Sequence, residues 1–118
     1  MWSAEVLAHF DFPKNVGFFN NEAHVRKALI GSESMGEWLE LQLKLDENCQ
    51  SIVAARFRVI GGVALIASGS VVTQLLQGKS ISDAKKIGYQ DVVEALKLTS
   101  EQSSVAYLVV RAISMALG

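Results

Sequence analysis

The chain has one cysteine, Cys49, and one proline, Pro13, in 118 residues. A lone cysteine excludes an internal disulfide and any thiolate metal cage built within one chain, and it fits a reducing compartment. Imidazole is nearly as scarce. His9 and His24 are the only two, and neither an H-E-x-x-H nor an H-x-x-x-H pairing exists to hold zinc on a helix. Charge of one sign is also missing: eleven Lys and Arg stand against twelve Asp and Glu, a net charge of −1. No field is available to gather nucleic acid or anionic lipid, so no nucleic-acid partner is expected.

Targeting and membrane signals are weak as well. The start, Met1-Trp2-Ser3-Ala4-Glu5, has no basic segment and reaches an acid by the fifth residue, which is unlike a secretory signal and predicts a cytoplasmic protein. Only Val59 to Gly78 could be mistaken for a membrane span, and it carries Gly61, Gly62, Ser68, Gly69, Ser70, Thr73, Gln74 and Gln77. A spanning helix wants about 20 predominantly apolar residues, so a buried central helix is the better reading and no membrane partner is expected.

What is present is the balance of a packed globule: 50% hydrophobic and 19% charged residues, too apolar for disorder and of a length for one domain over residues 1–118. Residues 37 to 45 alternate Leu39, Leu41, Leu43 and Leu45 with Glu40, Gln42 and Lys44, a strand with one wet face. After the polar turn of residues 46 to 50, Ser51 to Ile60 sets Val53, Ala55, Phe57 and Val59 against Arg56 and Arg58, which completes a hairpin. Val25 to Ile30 is a third, poorly alternating strand. Gly61-Gly62 ends the hairpin, and Val63 to Gln77 is apolar nearly all round, as in a helix buried on a sheet, with Gly78 as its stop.

Ser80-Ile81-Ser82-Asp83 has the spacing of a capping box, predicting a short helix. A last helix from Thr99 or Ser100 presents Val105, Leu108, Val109, Ala112, Ile113 and Ala116 as one apolar stripe. A leading helix, then strands, then helices predicts an α+β fold, a three-stranded antiparallel sheet with helices packed on one face.

Chemistry is thinly represented. Gly61-Gly62 between strand and helix resembles a phosphate loop only in part, because neither G-x-x-x-x-G-K-[ST] nor G-x-G-x-x-G is present. The glycines are read as turning the chain, and each histidine as a surface or packing residue. Cys49 falls in a polar turn, where a thiol is usually incidental; its other uses are an intermolecular disulfide or sulfur acceptance. No serine or cysteine has a histidine at an interpretable spacing, so no enzyme is expected.

Several blocks, in order, resemble the NifU/IscU-type iron-sulfur cluster scaffold family. His9-Phe10-Asp11-Phe12-Pro13-Lys14-Asn15-Val16-Gly17 is similar to the family's H-[YF]-x-x-P-[RK]-N-x-G. Gly31-Ser32-Glu33-Ser34-Met35-Gly36-Glu37 occupies the place of G-x-x-x-C-G-D, and Ala55 to Ser70 that of A-R-F-x-x-x-G-C-x-x-x-x-A-S-x-S. The resemblance implies an α+β scaffold on which three cysteines, with Asp and His, hold a [2Fe-2S] cluster or zinc. It places Met35 at the first cysteine, Gly62 at the second, and Ser104 with Val105 at a His-Cys pair, leaving Glu37 as the surviving acid. Thioether, glycine and valine supply no thiolate, so no metal and no cofactor is expected at those positions. The family's chaperone-binding L-P-P-V-K is Leu98-Thr99-Ser100-Glu101-Gln102 here, and delivery through that chaperone is not expected.

The resulting expectation is a scaffold-like protein that has lost its ligands and acts by binding a protein of iron-sulfur or sulfur metabolism, a cysteine desulfurase or a client. The rival is a metal-binding or sulfur-handling protein with a rearranged site, Glu37 with a histidine, or Cys49 paired between two chains. A third reading is a small enzyme or ligand-binding domain using the altered pocket at Met35, Glu37, Gly62 and Ser104.

Overall fold

The computed structural model describes residues 1–118, the side chain of Glu33 excepted. Three antiparallel strands, β1 (Val25–Ser32), β2 (Glu37–Leu45) and β3 (Ile52–Ile60), lie in sequence order with β2 central. The alternating leucines of β2 all point inward: Leu39, Leu41, Leu43 and Leu45 are buried. Leu41 sits between Ala28 of β1 and Phe57 of β3, so the three strands share one apolar face. Helices α1 (Ala4–Asp11), α2 (Val63–Leu76), α3 (Ile81–Ala84), α4 (Tyr89–Leu96) and α5 (Ser104–Leu117) follow the order expected of an α+β chain. Helix α2 packs on β3 and α5 on β1 and β2, which covers that face. No helix is long and apolar enough to cross a membrane.

Two side chains depart from the simple alternation. Gln42 belongs to the wet face by parity yet is 1% exposed, because the chain after Pro13 folds over it and the Phe19 amide donates to its Oε1 at 2.8 Å. Val53, expected inside, is exposed. Lys44 faces Ala54 whereas Leu45 faces Ile52, so Val53 is the extra residue of a β-bulge, and Ile52 takes the inward place.

The helices differ from expectation at their ends. Ser80 Oγ accepts from the Asp83 amide at 3.0 Å, one half of the expected box. Two helices follow instead of one, because the chain breaks at Gly88, whose amide donates to the Asp91 carboxylate that opens α4. The last helix begins at Ser104 rather than near residue 100: Thr99 donates its amide to Gln102 Oε1, Ser103 donates its hydroxyl to the Ser100 carbonyl, and these turns use the groups a helix would need. The stripe rotates accordingly, so Ala106, Val109, Ala112, Ile113, Ala116 and Leu117 are buried while Leu108 is exposed and Val105 half-buried.

Helix α2 approaches the sheet at Gly69, where an added Cβ would lie 2.5 Å from the Phe57 ring. The next residue, Ser70, fastens the N-terminal segment. Its Oγ accepts from the Lys14 amide at 2.8 Å and lies 2.7 Å from His9 Nδ1. The Ser70 hydroxyl thus ties the Lys14 amide and the His9 ring to α2. Asn15 Nδ2 donates to Thr73 one turn further along. Asn15 and Gly17 then pair with both backbone groups of Phe57, which occupies the free edge of β3. Phe18 and Phe19 continue over the outer face, under the guanidinium groups of Arg58 and Arg56.

Helix propensity alone would make Gly69→Ala stabilising by about 1 kcal/mol. The contact with Phe57 predicts the opposite sign, a loss of about 1–2 kcal/mol from overpacking. Urea unfolding checks it, with Gly62→Ala, whose Cβ meets open space, expected within about 0.5 kcal/mol of the parent. A second expectation concerns pH. Partial burial, and secondarily the Lys14 charge, hold His9 below the usual histidine range. The unfolded chain therefore binds the proton first, so stability should fall as pH drops below about 6.5 and go on falling until His9 is protonated in the fold. His9→Gln should remove that part of the slope in unfolding curves measured between pH 7 and 5.

Candidate functional site

The positions singled out by the sequence lie at the end of the sheet where β1 turns into β2. A 3₁₀ turn, Glu33–Met35, makes this connection. Gly31 and Gly36 on either side of it have φ of 79° and 77°. At Gly31 a side chain is excluded outright, since a Cβ would stand 2.3 Å from the Glu37 carbonyl oxygen. The turn leaves Met35 76% exposed. Glu37 has the parity of the buried leucines, so its carboxylate lies on the helical side of the sheet but at the open end.

Met35 and Glu37 line a hollow of about 70 Å³ with Ile30, Trp38, Leu65 and Leu108. Its floor is apolar. Glu37 Oε2 reaches Gly61, 3.5 Å from where that residue's Cβ would be. Gly62 is the N-cap of α2, in extended backbone with open space around it. Ser104 opens α5 and is exposed, and Leu108, one turn further on, reaches the hollow. The structure thus brings Met35 and Glu37 together and sets Gly61 beside Glu37, while Gly62, Ser104 and Val105 are not among the lining residues. Among the described residues, one carboxylate and one thioether are the only ligand-type groups there, and no group of three His, Cys, Asp or Glu could hold a metal ion. On the far side of Trp38 a second hollow, about 250 Å³, is walled by Leu29 and by the Glu40–Arg58 ion pair. The Trp38 indole N–H is buried between the two with no acceptor among the described residues.

Neither histidine joins this end. His9 is spent on Ser70, and His24 precedes β1, whose first residue pairs with Lys44 while Glu37 pairs with Ser32. Cys49 lies beyond the same far end of β2, roughly 27 Å along the strand from Glu37. The rearranged site expected from Glu37 and a histidine is therefore not assembled. Instead Cys49 Sγ lies 3.8 Å from His24 Nδ1. Sequence reasoning passed over this contact, which only the β1–β2 register makes visible. The glycines at residues 61 and 62 precede α2 with no basic residue in its first turn, and they serve as the turn that the sequence suggests.

A three-stranded antiparallel sheet in order 1-2-3 with helices on its one face defines a small α+β domain. The chain belongs to the family described as the NifU-like N terminal domain, whose model matches residues 1–118. Among relatives, it is 34% identical over 117 residues to the iron-sulfur cluster assembly scaffold protein IscU of Escherichia coli K12, covering 98% of this chain and 91% of that protein. It is 38% identical over 94 residues to iron-sulfur cluster assembly protein 1 of Arabidopsis thaliana, covering 79% of this chain but only 56% of the relative. A relative from Drosophila melanogaster, 34% identical over 118 residues, with 99% of this chain and 76% of that one covered, is called an iron-sulfur cluster assembly enzyme. The fold matches a crystal structure from Fervidobacterium islandicum AW-1, described as a putative iron-sulfur cluster assembly scaffold protein for the SUF system. The TM-score is 0.77 at 17% identity, over 99% of this chain and 96% of that one.

Proposed function

We propose that residues 1–118 act as one scaffold-fold domain that does not ligate a [2Fe-2S] cluster within a single chain and works by binding a protein of iron-sulfur or sulfur metabolism, a cysteine desulfurase or a client. The observation that carries this is the chemistry of the β1–β2 end. Where the family resemblance places three thiolates, this chain has the Met35 thioether, no side chain at Gly62 and the half-buried isopropyl group of Val105. Cluster iron is held chiefly by thiolates. Among the described residues at this end, Glu37 alone offers an anionic ligand.

This end is apolar and exposed: Met35 and Leu108, which line the hollow, both face solvent. Exposed apolar groups gathered beside a hollow suit a protein contact better than a small polar substrate. The family's scaffold role supplies the class of partner, and the intact sheet supplies the shape that such a partner would meet.

Given iron, a sulfide source and a reductant without oxygen, the monomer should stay colourless, whereas Met35→Cys/Gly62→Cys/Val105→Cys should gain the charge-transfer absorption of a [2Fe-2S] centre. A stoichiometric cluster spectrum in the unaltered monomer would overturn the first half of the proposal. For the second half, titration calorimetry against a cysteine desulfurase should show binding that Met35→Glu weakens about tenfold or more, a loss of about 1.4 kcal/mol. The melting temperature should be unchanged, because Met35 is exposed. Equal affinity of the two proteins would remove this end of the molecule as the contact.

A further inference from the structure

We propose that the open edge of β1 is a docking strand for an extended, acidic segment of a partner protein, which adds to the sheet as a fourth strand. The two edges of the sheet are not alike. That of β3 is closed by Asn15 and Gly17, which pair with Phe57, whereas β1 pairs with β2 alone. The Leu45 amide donates to the His24 carbonyl at 2.9 Å, and the register is constant from Val25 opposite Lys44 to Ser32 opposite Glu37. Residues 24, 26, 28 and 30 therefore turn their N–H and C=O groups toward β2, and Val25, Lys27 and Leu29 turn theirs outward. Among the described residues no backbone group pairs with these from the open side, and Lys27 and Leu29 are exposed. Such a row of unpaired groups is a template for another strand.

Charge selects the occupant. Arg26 and Lys27 are both exposed, and β1 contains no acid. Among the described residues Lys27 takes part in no ion pair, although Lys44 and Arg58 on the same outer face hold Glu22 and Glu40. Glu40, opposite Leu29, already accepts from Arg58 and Gln42. A second copy pairing through the same edge would gather the cations of both strands, so charge opposes self-association and favours an acid beside Lys27.

The side chains beside the edge add a second requirement. Leu29, 56% exposed, walls the hollow of about 250 Å³ with Trp38, Glu40 and Arg58. Gly31, opposite Trp38, sends no side chain between this hollow and the edge, and its φ of 79° ends the regular strand. In an antiparallel added strand the residue beside Leu29 comes two before the residue beside Lys27, on the same outer face. An aromatic residue there reaches diagonally across Gly31 to Trp38. The segment recognised thus reads aromatic-x-acid, with x a β-branched residue beside the buried Ala28. Met35 and Glu37 line a different hollow, so this inference does not rest on the desulfurase reading.

The full chain is titrated into the fluorescein-labelled peptide Thr-Val-Phe-Thr-Glu-Val-Thr, blocked at its C-terminus, with binding read by anisotropy and amide hydrogen exchange read residue by residue by NMR. Binding should be saturable. At saturation the Lys27 and Leu29 amides should exchange about tenfold or more slowly, while those of Ala28 and Ile30, already bonded to β2, should change little. Lys27→Glu should weaken binding roughly fivefold or more, and exchanging the peptide's glutamate for lysine should restore it. Met35→Glu should bind the peptide as the parent does, which separates this edge from the desulfurase contact. The proposal is overturned if the peptide does not bind at millimolar concentration, if it binds without slowing the Lys27 and Leu29 amides, if Lys27→Glu binds it equally well, if Met35→Glu abolishes binding, or if sedimentation shows the chain pairing with itself through this edge.

Discussion

The close approach of Gly69 to the Phe57 ring is the constraint from which the rest of the arrangement follows. Any side chain at residue 69 would stand inside the ring's van der Waals surface, so only glycine lets α2 lie this near the sheet. At that depth Ser70 and Thr73 are buried yet reach the segment of residues 9 to 15, and their hydroxyls accept its amide and side-chain donors. The pinned segment then delivers Asn15 and Gly17 to the edge of β3 at Phe57 itself. One residue of β3 thus carries the central helix on its side chain and the N-terminal segment on its backbone. The two sequence blocks that resemble family motifs, around His9 to Gly17 and Ala67 to Ser70, are in contact here. Their likeness to the family reports on how the sheet is closed at one edge, not on the chemistry of the site.

How much of this was legible in the sequence depends on how local its cause is. The leucines of β2 and the apolar run of α2 reveal themselves because periodicity and burial have one origin, a single face turned to the core. Gln42 and Val53 escaped the same reasoning for non-local causes. Gln42 is buried by Phe19, 23 positions away in the chain, and Val53 is turned out by a bulge set by the pairing of the neighbouring strand. The start of α5 was misplaced because Thr99 and Ser103 can satisfy backbone groups in turns as well as in a helix, and the buried Leu98 holds the turn in place.

The candidate site divides in the same way. That Met35 and Glu37 belong to one neighbourhood could be inferred from their motif, since the β1–β2 turn follows from a short stretch of chain. Their surroundings could not: Leu65 and Leu108, which make the hollow apolar, come from two helices whose rotation is fixed only by packing. The Cys49–His24 contact joins residues 25 positions apart. It follows from the β1–β2 register, in which Val25 opposite Lys44 puts residue 24 beside the turn. A poorly alternating β1 gave too little signal to set that register in advance, although the hairpin turn placed Cys49 itself at the right end.

On the proposed reading, the location of the candidate site residues lets the fold do without ligands there. Phe57, Leu39, Leu41, Leu43, Leu65 and Leu76 are each at most 2% exposed and form the core beneath the sheet. Met35, Gly62 and Ser104 lie outside it, each at a turn or a helix terminus. Changing a rim residue removes no core contact, and exchanging a thiolate for a thioether or a hydrogen also removes the free-energy cost of an anionic ligand held in a partly desolvated hollow without metal. The hairpin turn that bears Cys49 is peripheral for the same reason. With the α2–β3 contact buried in the core, both ends of β2 can change while Phe57 and Gly69 stay as they are.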